Sequence, residues 1–410
     1  MTHPFPDLDR PNERISFTPT REAGLKRLDQ FASRAGKTYA RTRNFDFGPD
    51  HRSNVSALSP WLRHRLITEQ DVLTRVLAAH GKTAARKFIQ EIFWRTYFKG
   101  WLEHHPSVWS SYQKGLLSAN HRIERDAELR TAYQDATAGA TGIDCFDHWT
   151  HELVSTGYLH NHARMWMASI WIFTLRLPWE LGADFFLRHL IDGDPASNTL
   201  GWRWVAGLHT KGRHYLARPN NIARYTDGRF DPRGLVLRAE PLTENSPHPQ
   251  VEVAASVGGP PDRYLALVTE DDMTFTQPGP TKPVGTVGIV ALHGRSPHPV
   301  GAQTARFVTE GMNQALAPLG CSAQTQDDWS DVLIRAAREH GVSAVATAYC
   351  PTGPARSRLD RAQPRLHKAG ITLYRVARRH DCLSWPHTNA GFFRLKNKIP
   401  ALLKALNLAR

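Results

Sequence analysis

Between Thr156 and Trp204 the chain carries, among others, the carboxylates Asp192 and Asp194, the amides Asn161 and Asn198, the guanidinium of Arg164 and the indoles of Trp179, Trp202 and Trp204. A guanidinium paired with a buried carboxylate can fix the wall of a cavity, because breaking such a pair from one side is costly. An amide offers a donor and an acceptor side by side. Indoles add flat, oxidisable surfaces. Together these groups suit a site for redox chemistry on an aromatic cofactor. Ten of the twelve tryptophans fall between Trp61 and Trp204, and only Trp329 and Trp385 lie outside, so the first half of the chain is built around aromatic chemistry.

Two earlier stretches carry compatible chemistry. In Ser56-Ala-Leu-Ser-Pro-Trp-Leu62, Ser59 before Pro60 reads as an N-cap with proline at the first helical position. A helix start of that kind can hold a pyrophosphate, although most such caps hold nothing. In Glu91-Ile-Phe-Trp-Arg-Thr-Tyr97, Glu91, Trp94 and Arg95 stand at i, i+3 and i+4, on one face of a helix. A surface ion pair beside a core tryptophan would have the same pattern. Asn161 and Arg164, three apart, also share a helical face.

The elements that must position these groups are helical. From Arg14 to about Asp231, apolar residues recur at three- and four-residue spacing, as in Thr68 to Ala78, Ala84 to Leu102 and Phe146 to Thr156. The stretch Pro241 to Pro261 is crowded with Pro, Gly, Ser, Asn and Glu and has the composition of a linker. Beyond it, apolar runs at Tyr264 to Val268, Val287 to Leu292, Ser343 to Tyr349 and Ile371 to Val376 alternate with helical stretches at Thr304 to Ala317, Trp329 to His340 and Ala355 to Lys368. That alternation predicts an open α/β fold with a parallel sheet. The expected organisation is an all-helical domain over 1–240, a linker over 241–261 and a Rossmann-like α/β domain over 262–410.

With 410 residues the chain can bury a large core, and its length suggests two or three domains. A formal charge of +14 and a pI near 9.9 favour partners such as nucleic acid or an anionic surface. The four cysteines, Cys145, Cys321, Cys350 and Cys382, contain no C-x-x-C pair, which argues against a disulfide framework, a zinc knuckle or an iron-sulfur cluster. A reducing cytoplasm is expected. The start of the chain, with Pro4, Pro6, Asp7 and Asp9, lacks an apolar signal core, and the most apolar run, Met165 to Leu177, is too short to cross a bilayer. No membrane association is expected.

Four motifs in order, those around Ser59 and Trp94 together with Thr156-Gly-Tyr-Leu-His-Asn-His-Ala-Arg164 and Ile191-Asp-Gly-Asp-Pro-Ala-Ser-Asn198 followed by Gly201-Trp-Arg-Trp204, resemble the FAD-binding helical domain of the photolyase and cryptochrome family. The resemblance covers about Tyr39 to Asp231. It implies that Tyr39, Ser56, Leu58 and Ser59 hold the FAD phosphates, with Val55 and Ala57 where the family often has threonine and arginine. It implies that Arg95, Arg164, Asp192 and Asp194 border the cofactor and that Asn198 faces flavin N5. His162 stands where bacterial photolyases commonly have arginine. Glu91, Trp94, Asn161, Met165 and Trp204 would face a pyrimidine dimer, and Trp202 and Trp179 would be the first two members of an electron-transfer chain. The third has no counterpart between Ile123 and Asp126, which leaves Trp109, Trp149, Trp171 or Tyr158.

The same resemblance implies a cavity rimmed by cations, and Arg63, Arg65, Lys211, Arg213, Arg218 and Arg224, with His64, His209 and His214 beside them, could meet DNA phosphates. Photolyases place an α/β antenna domain first; here the order looks inverted, and 341–393 loosely resembles the later half of such a domain. A second, antenna chromophore of unstated identity would belong there. The function implied is blue-light repair of cyclobutane pyrimidine dimers in UV-damaged DNA by a monomer. The alternatives are a cryptochrome-type photoreceptor without repair and a dark flavin oxidoreductase.

Overall fold

The computed structural model describes residues 14–245, 247–253 and 259–408. Pro4, Pro6, Asp7 and Asp9, and with them the expectation about a signal core, lie outside the described residues. No helix among those described is long and apolar enough to cross a membrane.

Helices make up the chain from Arg21 to Tyr225. The helix Glu69–Ala84 starts at a capping box: the Thr68 hydroxyl accepts from the Asp71 N–H at 3.2 Å, and the Asp71 carboxylate accepts from the Thr68 N–H at 2.8 Å. Gly81, at φ 68°, breaks its regular geometry before the long helix Arg86–His104 begins. Asn161–Ser169 runs into a five-residue π-helical turn, Ile170–Thr174. In Pro195–Ala206, Asp194 is the N-cap and accepts from the Ser197 N–H at 2.9 Å. Gly182 is required here because a Cβ would stand 2.2 Å from the Trp202 ring, so its absence lets the two helices approach.

Residues 226–264 form no helix or strand where they are described. Five parallel strands follow, β1 (Leu265–Thr269), β2 (Gly285–Ile289), β3 (Ala323–Gln324), β4 (Ala344–Ala348) and β5 (Thr372–Val376), in the order β3-β2-β1-β4-β5. β1 and β4 are wholly buried, which explains their unbroken apolar runs. The four apolar runs of the sequence became four of these strands. β3 escaped notice because its two residues carry no periodicity.

The helical and α/β parts share an apolar core. Leu28, Phe31, Trp61 and Phe93 belong to the same buried cluster as Val268, Met273, Phe307, Phe392 and Leu403. The closing helix, Phe392–Ala405, packs against Arg86–His104. A buried ionic seam reinforces the joint. Arg63 donates to Asp271 at 2.7 Å and Arg65 to Asp381 at 2.6 Å, while Arg378 closes on Asp272. The His64 ring nitrogens lie 2.7 and 3.1 Å from the carbonyl oxygens of Glu270 and Ile191.

This seam corrects one expectation. Arg63 was expected to meet DNA, yet it is 3 % exposed and donates also to the Gly193 carbonyl at 3.0 Å. Arg65 and His64 are buried in the same way. The acidic run Glu270-Asp271-Asp272 lies at the carboxyl end of β1, next to the β1/β4 switch point where open α/β sheets commonly bind ligands. Here Arg63 takes up Asp271 and Arg65, with Arg378, takes up Asp272, while Glu270 faces Arg295.

Candidate functional site

A cavity of roughly 930 Å³ opens between the helices Arg86–His104, Asn161–Ser169 and Pro195–Ala206 and the segment 55–62. Its volume is near the upper end of ordinary ligand sites. All of the sequence-predicted cofactor and lesion residues line it: Tyr39, Ser56, Leu58, Ser59, Glu91, Trp94, Arg95, Asn161, Arg164, Met165, Asp192, Asp194, Asn198, Trp202 and Trp204. Thus one wall joins groups up to 165 positions apart in sequence (Tyr39 and Trp204), because the helices fold back on one another.

The floor is charged and fixed. Arg164 pairs with Asp192 at 2.8 Å and donates to the Leu159 carbonyl at 3.0 Å. Arg95 pairs with Glu69 at 2.8 Å, and Glu91 pairs instead with Arg43, so Glu91 and Arg95 do not form the simple surface pair that their spacing allows. Asp194 has Arg63 at 3.8 Å and Lys99 at 3.9 Å. Burial opposes its charge, but Lys99, Arg63 and Arg95 hold the Asp194 carboxyl well below the usual carboxylate range. Burial and Arg95 push the Lys99 ammonium down to about 8 against the pull of Asp194.

Asn198 shows how the fold chooses between two ends of an amide. Its Nδ2 donates to the Ala183 carbonyl at 2.7 Å, an acceptor that only the NH₂ end can satisfy. The Oδ1 is left to accept. Asn161, at the exposed mouth, reaches the Met165 sulfur at 3.9 Å, and Trp204, 38 % exposed, stacks on Tyr215 with centroids 5.6 Å apart.

The segment around Ser59 departs from expectation. The helix Ser59–Arg63 is a single turn, Leu58 rather than Ser59 takes the cap position, and no side chain caps it. Ala57 holds φ +50° before right-handed Leu58. Neighbouring residues of opposite hand turn successive N–H groups toward one concavity, a form that binds anions. The left-handed Ala57 costs about 1–2 kcal/mol, and such strain commonly marks a ligand clamp.

These residues fit a flavin dinucleotide. The lining sets the aromatic rings of Trp94, Phe98, Trp101 and Trp202 beside fixed polar groups, Arg164, Asp192, Asp194 and Asn198, the mix of apolar wall and few placed polar groups that such a ligand needs. His162 also lines the cavity, its ring nitrogen 2.6 Å from the Asn44 carbonyl.

Aromatic contacts lead away from the cavity. Trp202 meets Phe186 at 5.0 Å and Trp171 at 6.1 Å, and Trp179 meets Tyr112 at 5.8 Å, which in turn meets Trp109 at 5.1 Å. Trp149 stacks on Trp166 elsewhere in the core. Lys211 and Arg213 are exposed just after Thr210, which lines the mouth, and Arg218 is exposed beyond them.

The closing helix also reaches the cavity, which no motif in the sequence indicates. Ala390, Gly391, Phe392 and Phe393 also line the cavity, and Phe392 stacks on Trp94 with centroids 3.7 Å apart and planes 12° apart. The only signal was the pair Phe392-Phe393 at a helix start; nothing local says which face it meets.

Burial holds the His160 imidazole down to about 3, and burial together with Arg203 holds His209 at the rim down to about 4. Both stay neutral in the fold while the unfolded chain takes up protons below about pH 6.5. Folding stability is therefore full above that pH and falls as pH drops toward 4, by up to about 1.4 kcal/mol per pH unit for each histidine. Urea unfolding at pH 7, 6 and 5 should show this loss; replacing His209 with Gln should lessen the slope by up to about 1.4 kcal/mol per pH unit and leave the part that His160 contributes.

The fold and the cavity define a class: a helical protein with a buried, aromatic site for a flavin dinucleotide, joined to a parallel α/β unit. Residues 88–239 match the family described as the FAD binding domain of DNA photolyase. This helical region is similar to that of the photolyase and cryptochrome family. It is 32 % identical over 195 residues to a deoxyribodipyrimidine photo-lyase of Synechococcus sp., covering 46 % of this chain and 39 % of that protein. It is 30 % identical over 233 residues to the deoxyribodipyrimidine photo-lyase of Escherichia coli, covering 54 % and 46 %. Among solved structures, a class III photolyase from Agrobacterium tumefaciens is 30 % identical with a TM-score of 0.43, covering 52 % of this chain and 43 % of that one. The chain spans less than half the length of these relatives.

Proposed function

We propose that this protein is a blue-light-driven, FAD-dependent DNA photolyase that repairs cyclobutane pyrimidine dimers. One observation carries the proposal: a single cavity unites Glu91, Trp94, Asn161, Met165 and Trp204 with Asn198 and Trp202. FAD, when bound and reduced, supplies a light-excited electron donor.

The chain's own groups do the rest. The N–H groups around Ala57, Leu58 and Ser59 hold the diphosphate, with Tyr39 and Ser56 beside them. Asn198 Oδ1 accepts a proton-bearing N–H of the ring edge, because its NH₂ is already committed to Ala183. Arg164, held by Asp192, and Asp194 keep the wall rigid and polar. Trp94 offers a stacking surface to a flipped dimer, Glu91 a carboxylate and Asn161 an amide at the mouth. Trp202 and Trp179 conduct electrons outward. Lys211, Arg213 and Arg218 neutralise phosphates. We retain the division into 1–240, a linker at 241–261 and 262–410, with the α/β part as the antenna-like domain.

The test uses the purified flavoprotein and an oligonucleotide bearing one cyclobutane dimer. Blue light should remove the dimer, and Trp202→Phe should lose most of the light-driven reduction of the bound flavin, followed by its visible absorbance. A flavin-loaded protein that photoreduces through Trp202 but leaves the dimer intact would sink the repair proposal and favour the photoreceptor.

A further inference from the structure

The closing helix, Phe392–Ala405, contributes to the cavity although it lies outside the segment matched to the flavin-binding family. Its first two residues have opposite fates. Phe392 is 6 % exposed, stacks on Trp94 and meets Tyr97 edge-on at 5.7 Å, so it belongs to the core and backs one face of the tryptophan. Phe393 is 72 % exposed, the most exposed large apolar side chain among those described, and it too lines the cavity. The bare ring is not simply a stray surface residue: the Lys396 ammonium lies 5.0 Å over it, and Arg394 and Lys398 are exposed on the same helix. An apolar wedge beside a pocket, flanked by cations, is complementary to a duplex from which a nucleotide has left the stack.

Resting on the repair proposal above, we propose that Phe393 inserts into the gap that a flipped lesion leaves in duplex DNA, while Arg394, Lys396 and Lys398 hold the flanking phosphates. The α/β part thereby contributes directly to the DNA interface. Lys396 beside the ring favours this use, because it puts a cation next to the wedge, complementary to the phosphates that flank a gap. The gap exists only in a duplex. A single strand bearing the same dimer has no opposing stack to fill.

That difference gives the test. Binding of the wild type, Phe393→Ala and Phe393→Trp to a dimer-bearing oligonucleotide is measured in single-stranded and duplex form, with 2-aminopurine opposite the lesion as a reporter of unstacking. Phe393→Ala is expected to weaken duplex binding about tenfold and to reduce the 2-aminopurine signal, with single-strand binding unchanged. Phe393→Trp should restore both. Equal losses on the two substrates, or no loss on either, would overturn the wedge while leaving repair intact if the wild type still removes the dimer. A wild type that neither prefers nor repairs dimer DNA would overturn both proposals. The flavin spectrum of each variant reports whether the cavity itself is undisturbed.

Discussion

Arg65→Ala is expected to lower the stability of the protein by about 3–5 kcal/mol, a large share of what a folded chain possesses. Arg65 is 2 % exposed, donates to Asp381 at 2.6 Å and lies 3.4 Å from Asp272 and 3.7 Å from Glu69. Truncation leaves buried carboxylates facing one another across the joint between the helical and α/β parts. Asp272 keeps Arg378 and Glu69 keeps Arg95, so Asp381 suffers most. The backbone adds a second clue, since Arg65 holds φ +50° without being glycine. Its ion pairs therefore offset strain as well as desolvation. Urea unfolding followed by tryptophan fluorescence checks the size of the effect. A combined Arg65→Met, Asp381→Leu variant should recover most of the loss, since no charge is then stranded. A loss below about 1 kcal/mol for Arg65→Ala would mean that the seam is solvated rather than buried.

Trp94→Ala carries the second large effect, now on function. Phe392 stacks on one face of the indole, and removing the indole takes away the stacking surface proposed for the dimer. Affinity for dimer-bearing DNA should fall about ten- to hundredfold, the usual worth of one base–aromatic stack. Trp94→Phe should retain much of it. The control is the flavin: Asn198, Arg164 and Asp192 occupy other elements, so flavin content and absorbance should persist in Trp94→Ala. Equal affinity of wild type and Trp94→Ala for the dimer would remove Trp94 from the substrate site.

Much of the site was legible in the chain because its chemistry is local in sequence. Asn161 and Arg164 lie on one helix, Asn198 on another that packs against it, and Asp192 and Asp194 on the turn leading into the second, so one short stretch of sequence holds the whole group. The parallel sheet was legible for the same reason, as short apolar runs separated by amphipathic helices. What failed were judgements that needed a neighbour from far away. Arg63 reads as a surface cation until Asp271, more than two hundred residues on, removes it from solvent. Ser59 reads as a cap until Ala57 adopts a left-handed backbone and moves the cap to Leu58.

The amino-acid sequence by itself determined the helices, four of the parallel strands and the identity of the groups that line the cavity, because periodicity and side-chain type are properties of short windows. The tertiary structure decided which charges are buried, which end of Asn198 faces the cavity, and that Phe392 backs Trp94 while Phe393 stays in the open. Those outcomes depend on desolvation and packing between segments as much as 316 residues apart, and no short window contains both partners.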